Sequence, residues 1–216
     1  MYYTKYMTKK NITYSPQDKI NNSRIYTQFL QIGLDDGWGR KDKQENFELL
    51  MKIFTFTNTP ISGSTLLDVG CGTGDFVQFL SDKKVKEYVG VDIFEQAIEK
   101  AKDKFPEYTF THGDFLKLDF KKFDFVVCSG ALTTELDTDN YEIVQSWIPK
   151  MWHIAKKGVA FNFLIEDYSD VTNLFLYEPA FILSVCNDLF PKPKIKTITT
   201  PAGGDNRLQE MHVFLY

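Results

Sequence analysis

The sequence of 216 residues lacks most features of a membrane, secreted or metal-dependent protein. It holds no run of about eighteen apolar residues, the length at which a membrane-spanning helix is read. Its opening, MYYTKYMTKK, has no apolar core of a secretory signal, so a cytoplasmic location is expected. Cysteine is scarce: Cys71, Cys128 and Cys186 are odd in number and far apart, which argues against a disulfide framework and for reduced thiols. His112, His153 and His212 are scattered, and no Cys or His spacing matches a zinc site, so no metal is expected. Basic charge is not in excess. A net charge of -4 provides no overall field for gathering nucleic acid or an anionic membrane. Repeats and low-complexity segments are absent too. What is present is a chain 43% hydrophobic, enough for one well-cored domain and an appendage.

The organising stretch is Thr65-Leu66-Leu67-Asp68-Val69-Gly70-Cys71-Gly72-Thr73-Gly74-Asp75-Phe76. A short apolar run ending in an acid reads as a buried parallel strand. Three alternating glycines follow, and Phe76, Val77, Phe79 and Leu80 then begin a helical apolar stripe. Strand, glycine turn and helix form the front of a nucleotide-binding βαβ unit, in which the glycines let the backbone approach a ligand. The spacing G-x-G-x-G differs from the dinucleotide fingerprint G-x-G-x-x-G. Asp68 at the strand end would repel a pyrophosphate and suit the cationic amino group of an amino-acid tail.

These residues resemble the first motif of the class I S-adenosylmethionine (SAM)-dependent methyltransferases, and the later motifs occur in order. The resemblance covers about residues 37–216 and is strongest over 65–131. It implies a Rossmann-like, seven-stranded, mostly parallel sheet with helices on both faces and an antiparallel last strand. It implies SAM as cofactor and a generic methyltransferase activity. Gly37-Trp38-Gly39 resembles a small bacterial and phage subgroup, in which Trp38, followed by Arg40, would cover the cofactor; a hydrophobic plug on the domain is the competing reading. Residues 1–38 are expected to be a separate lid or appendage, and 39–216 the methyltransferase domain. The basic first thirty residues read either as a lid or as a frayed tail.

Further along, Asp42 with Glu45 forms a plausible capping box, starting a helix that carries Phe47, Leu50, Met51 and Phe54 on one face. Tyr88–Asp92 is the second strand, ending in an acid about twenty residues past the glycines, where a carboxylate accepts from both ribose hydroxyls. Ile93 follows it. The helix with Ala97, Ile98 and Ala101 is stopped by Pro106, and 108–112 is the third strand. In Gly113-Asp114-Phe115, the resemblance implies that Asp114 meets the adenine amine and Phe115 flanks the ring. Phe123–Gly130 is the fourth strand and its exit, leading into Ser129-Gly130-Ala131-Leu132, where many base-amine and some glutamine methyltransferases carry an Asn/Asp-Pro-Pro-aromatic tetrapeptide. A helix over 140–156 contains Pro149, 158–165 is the fifth strand, Pro179 opens the last helix, and 194–200 with 210–216 form a hairpin.

The cofactor set read from the sequence is therefore Trp38, Arg40, Asp68, Gly70, Cys71, Gly72, Gly74, Asp92, Ile93, Asp114, Phe115, Ser129 and Gly130. Methyl transfer needs alignment and water exclusion more than a catalytic group, so no catalytic residue is assigned. Tyr26, Thr133, Glu135, Asn162, Glu166 and Tyr168 are candidates to touch the acceptor, each equally readable as an ordinary loop residue. No Lys or Arg occurs between Lys122 and Lys150 or between Lys157 and Lys192, while Glu135, Asp137, Asp139, Glu166, Asp167 and Asp170 fall in those gaps. An acidic rim there would favour a small-molecule acceptor, an amine or other cation, over nucleic acid. Ordinary solvated loops are the competing reading. A non-catalytic SAM-binding module, an RNA or protein methyltransferase, and SAM chemistry other than methylation remain the alternatives.

Overall fold

In a computed structural model of the protein, which describes residues 40–167, 174–202 and 208–216, the chain forms one sheet between two layers of helices. The readings made on Tyr26, Trp38 and Tyr168 lie outside the described residues, as do the side chains of Arg40, Asp42 and Glu166. The elements are α1 (Arg40–Leu50), α2 (Lys52–Phe56), β1 (Thr65–Val69), α3 (Asp75–Phe79), β2 (Glu87–Asp92), α4 (Glu95–Lys104) and β3 (Thr109–His112). They continue with β4 (Phe123–Cys128), α5 (Asn140–Ile154), β5 (Ala155–Asp167), α6 (Pro179–Asn187), β6 (Ile195–Ala202) and β7 (Leu208–Leu215).

The sheet is 7-stranded with order β3-β2-β1-β4-β5-β7-β6. Strands β1 to β5 run parallel, and β7 is antiparallel to both β5 and β6. This is the Rossmann-like arrangement anticipated from the sequence, and its order reverses between β1 and β4. Open sheets of this kind bind ligands in the crevice beyond the strand C-termini at that switch point.

Alternation along buried strands divides the core in two. On one face Leu67, Val69, Val126, Cys128, Phe161 and Phe163 meet Ile143, Val144, Trp147 and Met151 of α5 and Ile182 of α6. On the other, Leu66, Phe125, Val127, Ala160 and Phe214 meet Phe47 and Leu50 of α1, Ile53 and Phe54 of α2, Phe76 and Val77 of α3, and Ile98 of α4.

Several boundaries differ from the sequence reading. Helix α1 begins at Arg40, two residues before the proposed Asp42 cap, and Lys43 ties it to Asp75 at the start of α3 across 2.6 Å. Helix α5 ends at Ile154, and Ala155 and Lys156 already belong to β5. Strand β5 extends to Asp167 because its far half pairs with β7, a partner invisible in local periodicity.

Gly90, in the middle of β2, leaves room for the glycine turn: a Cβ there would lie 2.7 Å from Cys71 Sγ and 2.8 Å from Phe110 Cδ1. Both neighbours are themselves buried. Gly90→Ala should therefore destabilise the protein by about 1–3 kcal/mol through overpacking, measured by urea denaturation. An unchanged midpoint would show that this layer yields more easily than its packing implies.

Candidate functional site: the crevice at the strand ends

Strand β1 delivers the chain into the turn Gly70-Cys71-Gly72-Thr73-Gly74. The three glycines are all left-handed, with φ of 77°, 52° and 84°, a conformation that side chains rarely adopt. Amides of Gly70 and Cys71 donate to the Val91 carbonyl at 2.8 and 3.1 Å, stitching the turn to the end of β2. Cys71 turns its thiol into the buried layer, where burial holds it well above its ordinary pKa. A Cβ on Gly70 would collide with Ala131 in the loop after β4, whereas one on Gly72 would meet only open space. The crevice is thus closed on one side by the β4 loop and open above Gly72.

Asp92 is the clamp. Its Oδ2 accepts from the Gly72 amide at 2.8 Å and its Oδ1 from the Phe94 amide at 2.9 Å. Burial raises its pKa, and the backbone amides of Phe94, Gly72 and Ile93 work against that rise. Each carboxylate oxygen retains a lone pair, so the group can still accept from a diol. Ile93 beside it is half-buried, and its carbonyl contacts the His112 ring at 3.1 Å. His112 is thus a strand-end residue.

Asp114, just beyond β3, is 7% exposed. One oxygen accepts from the Leu116 amide at 2.9 Å, and the other, Oδ2, is buried without a hydrogen-bond partner. No described residue supplies its donor, and a buried carboxylate oxygen left without one is costly.

Phe115 and Asp68 are both buried beside the strand ends. Phe115 is buried against Trp147 at 5.3 Å and Phe120 at 5.8 Å, in the same cluster as Ile93. Asp68 is 2% exposed and takes a hydrogen bond from Tyr88 Oη at 2.6 Å. Burial pushes its pKa up to about 7, against the pull of the Tyr88 hydroxyl and with a further push from Asp92.

The loop after β4 is held by its own polar side chains. Thr133 Oγ donates to the Gly130 carbonyl at 2.8 Å, and Asn140 Nδ2 to the Thr134 carbonyl at 2.8 Å. Thr133 is consequently 5% exposed and braces the loop instead of facing an acceptor. Glu135 is exposed, as are Asp137 and Asp139. Asn162, expected to touch the acceptor, is fully buried and receives the Gly130 amide on Oδ1 at 2.8 Å. Its Nδ2 donates to Glu210 Oε1 at 2.6 Å. Glu210 was not among the sequence candidates. The signal for it was present, since Glu210 and His212 occupy alternate positions with Phe214 on what must be a buried face.

The fold and these strand ends define a Rossmann-like methyltransferase architecture. Residues 66–158 match the family model described as a methyltransferase domain. Similar solved structures include the magnesium protoporphyrin IX methyltransferase of Synechocystis with bound S-adenosylhomocysteine (SAH): 19% identity, TM-score 0.72, covering 92% of this chain and 99% of that one. The N-methyltransferase NodS of Bradyrhizobium japonicum in complex with SAH gives 14% identity and TM-score 0.62, over 89% and 97% of the two chains. The [4+2]-cyclase SpnF gives 13% and 0.64, over 95% and 98%. No curated protein sequence matches. The domain match covers less than half of the chain, and the likeness to these structures is one of fold.

Because Asp68 is neutral when comfortable and costly when ionised, its pKa rises from 3.8 to about 7 on folding. Its contribution to stability is complete below pH 3.8 and is lost as pH rises through 7. Asp68→Asn should therefore remove about 2–3 kcal/mol of the stability lost between pH 5 and pH 8. Urea unfolding at both pH values checks this; an identical pH slope in the variant would contradict the assignment.

Proposed function

We propose that the crevice binds SAM and that the protein methylates a small-molecule acceptor, an amine being the class its surroundings favour. The observation that carries the cofactor reading is the set of groups at the strand ends. Gly72 leaves open space, Asp92 keeps spare acceptor capacity for a ribose, and Asp114 holds a buried oxygen in need of a donor such as the adenine amine. SAM supplies, when bound, a methyl carbon already activated by its sulfonium charge. The chain then has to orient its partners and exclude water. A proton acceptor is needed only for a protonated nucleophile. Gly70 and Gly74 shape the turn, while Ser129 and Gly130 border the end of the crevice at which the methyl group would lie. Within this reading residues 1–38 form the lid, with Trp38 and Arg40 on the cofactor as in the Gly-Trp-Gly subgroup. Tyr26, Glu166 and Tyr168 remain acceptor candidates.

Acceptor class follows from charge placement. Exposed Glu135, Asp137 and Asp139 stand on the loop after β4. The lysines that bound the acidic stretch do not reach it. Lys150 is buried, donating to the carbonyls of Leu116 and Leu118 at 3.1 and 2.6 Å. Lys122 donates to the His153 carbonyl and Lys157 pairs with Asp124 at 3.3 Å, both at the opposite, N-terminal edge of β4 and β5. Among the described residues, these lysines offer a polyanionic substrate no cation in this part of the rim. All three cysteines are free and buried, which suits a reducing, cytoplasmic setting. Among the described residues no helix is long and apolar enough to cross a membrane.

Calorimetry with SAH tests the cofactor site. Asp92→Ala should weaken binding by about 2–4 kcal/mol, and Gly72→Val should weaken it more, because its side chain enters the open space and strains a left-handed residue. Unchanged affinity in a folded Gly72→Val protein would refute the placement. An acceptor screen with radiolabelled SAM should favour amines over phenols, carboxylic acids and oligonucleotides, and Glu135→Gln should raise the KM of the best amine. A polyanion as best acceptor would end the amine reading. SAM binding with no methyl transfer to any acceptor would instead favour non-methylating chemistry, as the shared fold of SpnF illustrates.

A further inference from the structure

The most unusual chemistry outside the crevice lies on the face that β5, β7 and β6 turn towards α1. Cross-strand pairing places Asn162 beside His212 and Leu164 beside Glu210, with Ile198 and Thr200 opposite them on β6. Asn162, Glu210 and His212 are all 0% exposed. Among the described residues, Glu210 Oε2, the two ring nitrogens of His212 and Thr200 Oγ1 are buried without a well-formed hydrogen bond, although Asn46 and the Ile198 backbone lie close enough to act on Glu210 and His212. Polar groups in such a place cost more than apolar ones of similar size, so they stabilise the fold poorly. Its connection to the crevice is direct. Glu210 Oε1 receives Asn162 Nδ2 at 2.6 Å, and Asn162 Oδ1 receives the amide of Gly130 at 2.8 Å. Gly130 is left-handed, with φ of 70°, and its neighbour Ala131 is the residue against which Gly70 fits. One chain of hydrogen bonds thus runs from a buried carboxyl on β7 to the loop that walls the glycine turn.

We propose that Glu210, acting through Asn162, is a positioning residue for the loop after β4, so that the tightness of cofactor binding follows the charge on Glu210. The proposal rests on the reading of the crevice as the SAM site. An ionised Glu210 makes a charge-assisted bond to Asn162 and fixes the amide with Oδ1 towards Gly130. A protonated Glu210 makes the weaker neutral bond, and the Asn162 amide is then freer to turn. Burial raises the Glu210 pKa to about 7, while the amides of Asn46 and Asn162 pull it down. The charge therefore changes near neutral pH, and the sign is that the loop is held more firmly as pH rises through about 7. Among the described residues, the titratable neighbour on β7 is His212, whose Nε2 lies 3.9 Å from Oε2. Burial lowers the His212 pKa to about 4, with Lys52 of α2 pushing the same way, so it stays neutral in this range. The groups facing Glu210 from β5, β6 and α1, namely Asn162, Thr200 and Asn46, carry no charge.

The test is SAH calorimetry from about pH 6 to pH 8 on the wild type, Glu210→Gln and Asp68→Asn, with the Gly130 amide followed by NMR over the same range. Wild-type affinity should strengthen roughly fivefold to tenfold with rising pH. That step should vanish in Glu210→Gln, which keeps an acceptor for Asn162 but cannot ionise, and survive in Asp68→Asn. In the ligand-free wild type the Gly130 amide shift should titrate with a midpoint near 7, the pKa of Glu210. Equal pH profiles in wild type and Glu210→Gln would overturn the proposal while leaving the SAM reading intact. Absence of SAH binding by the wild type at every pH would instead overturn the SAM reading and the proposal with it. Should Glu210→Gln fail to fold, the wild-type titration decides alone, and a Gly130 amide indifferent to pH overturns the role.

Discussion

The structure depends on the grip of one carboxylate on one amide: Asp92 Oδ2 holding the Gly72 N–H at 2.8 Å. Three consecutive alternating glycines in left-handed conformation are entropically expensive to order. What orders them is the end of β2, through the Val91 carbonyl and the Asp92 side chain. Without that grip β1 would deliver a floppy loop to the switch point. With it, the loop becomes a fixed floor, and the strands around it set the distances to every other group in the crevice.

The rest of the molecule supports this floor from two sides. The α1–α4 layer packs Phe47, Phe76 and Phe110 under the turn, where Gly90 leaves just the room that Cys71 takes. The other side is the loop after β4, seated on Gly70 through Ala131 and held by Thr133, Asn140 and Asn162. Buried acids are concentrated here, with Asp68, Asp92, Asp114 and Glu210 all under 10% exposed. Desolvation disfavours the charged forms of Asp68, Asp92 and Glu210. At Asp92 and Asp114 a ligand that brings hydroxyls and an amine would supply the missing donors, consistent with SAM as the occupant.

Much of this was legible in the sequence, for physical reasons that differ from residue to residue. The strand-turn-helix at 65–80 and the acid ending β2 are local patterns, and local patterns survive folding because neighbouring residues make them. The antiparallel end of the sheet was legible through its hairpin. The packing of Phe115 was not legible, because a motif names a residue's neighbours in sequence and not its contacts with Trp147 and Phe120. The hydrogen bond on Asp68 was hidden for a similar reason: its partner Tyr88 sits 20 residues away on the next strand. Asn162 and Glu210 lie 48 residues apart, and only the β5–β7 pairing brings them together.

Hydrogen exchange with and without SAH measures the central claim most directly, because it reads the backbone amides that the glycine turn and the strand ends contribute. The account predicts added protection concentrated at residues 70–76, 92–94 and 114–116, the three places where Gly72, Asp92 and Asp114 meet at one edge of the sheet. Protection confined to other segments, or none at these three with saturating SAH, would contradict it.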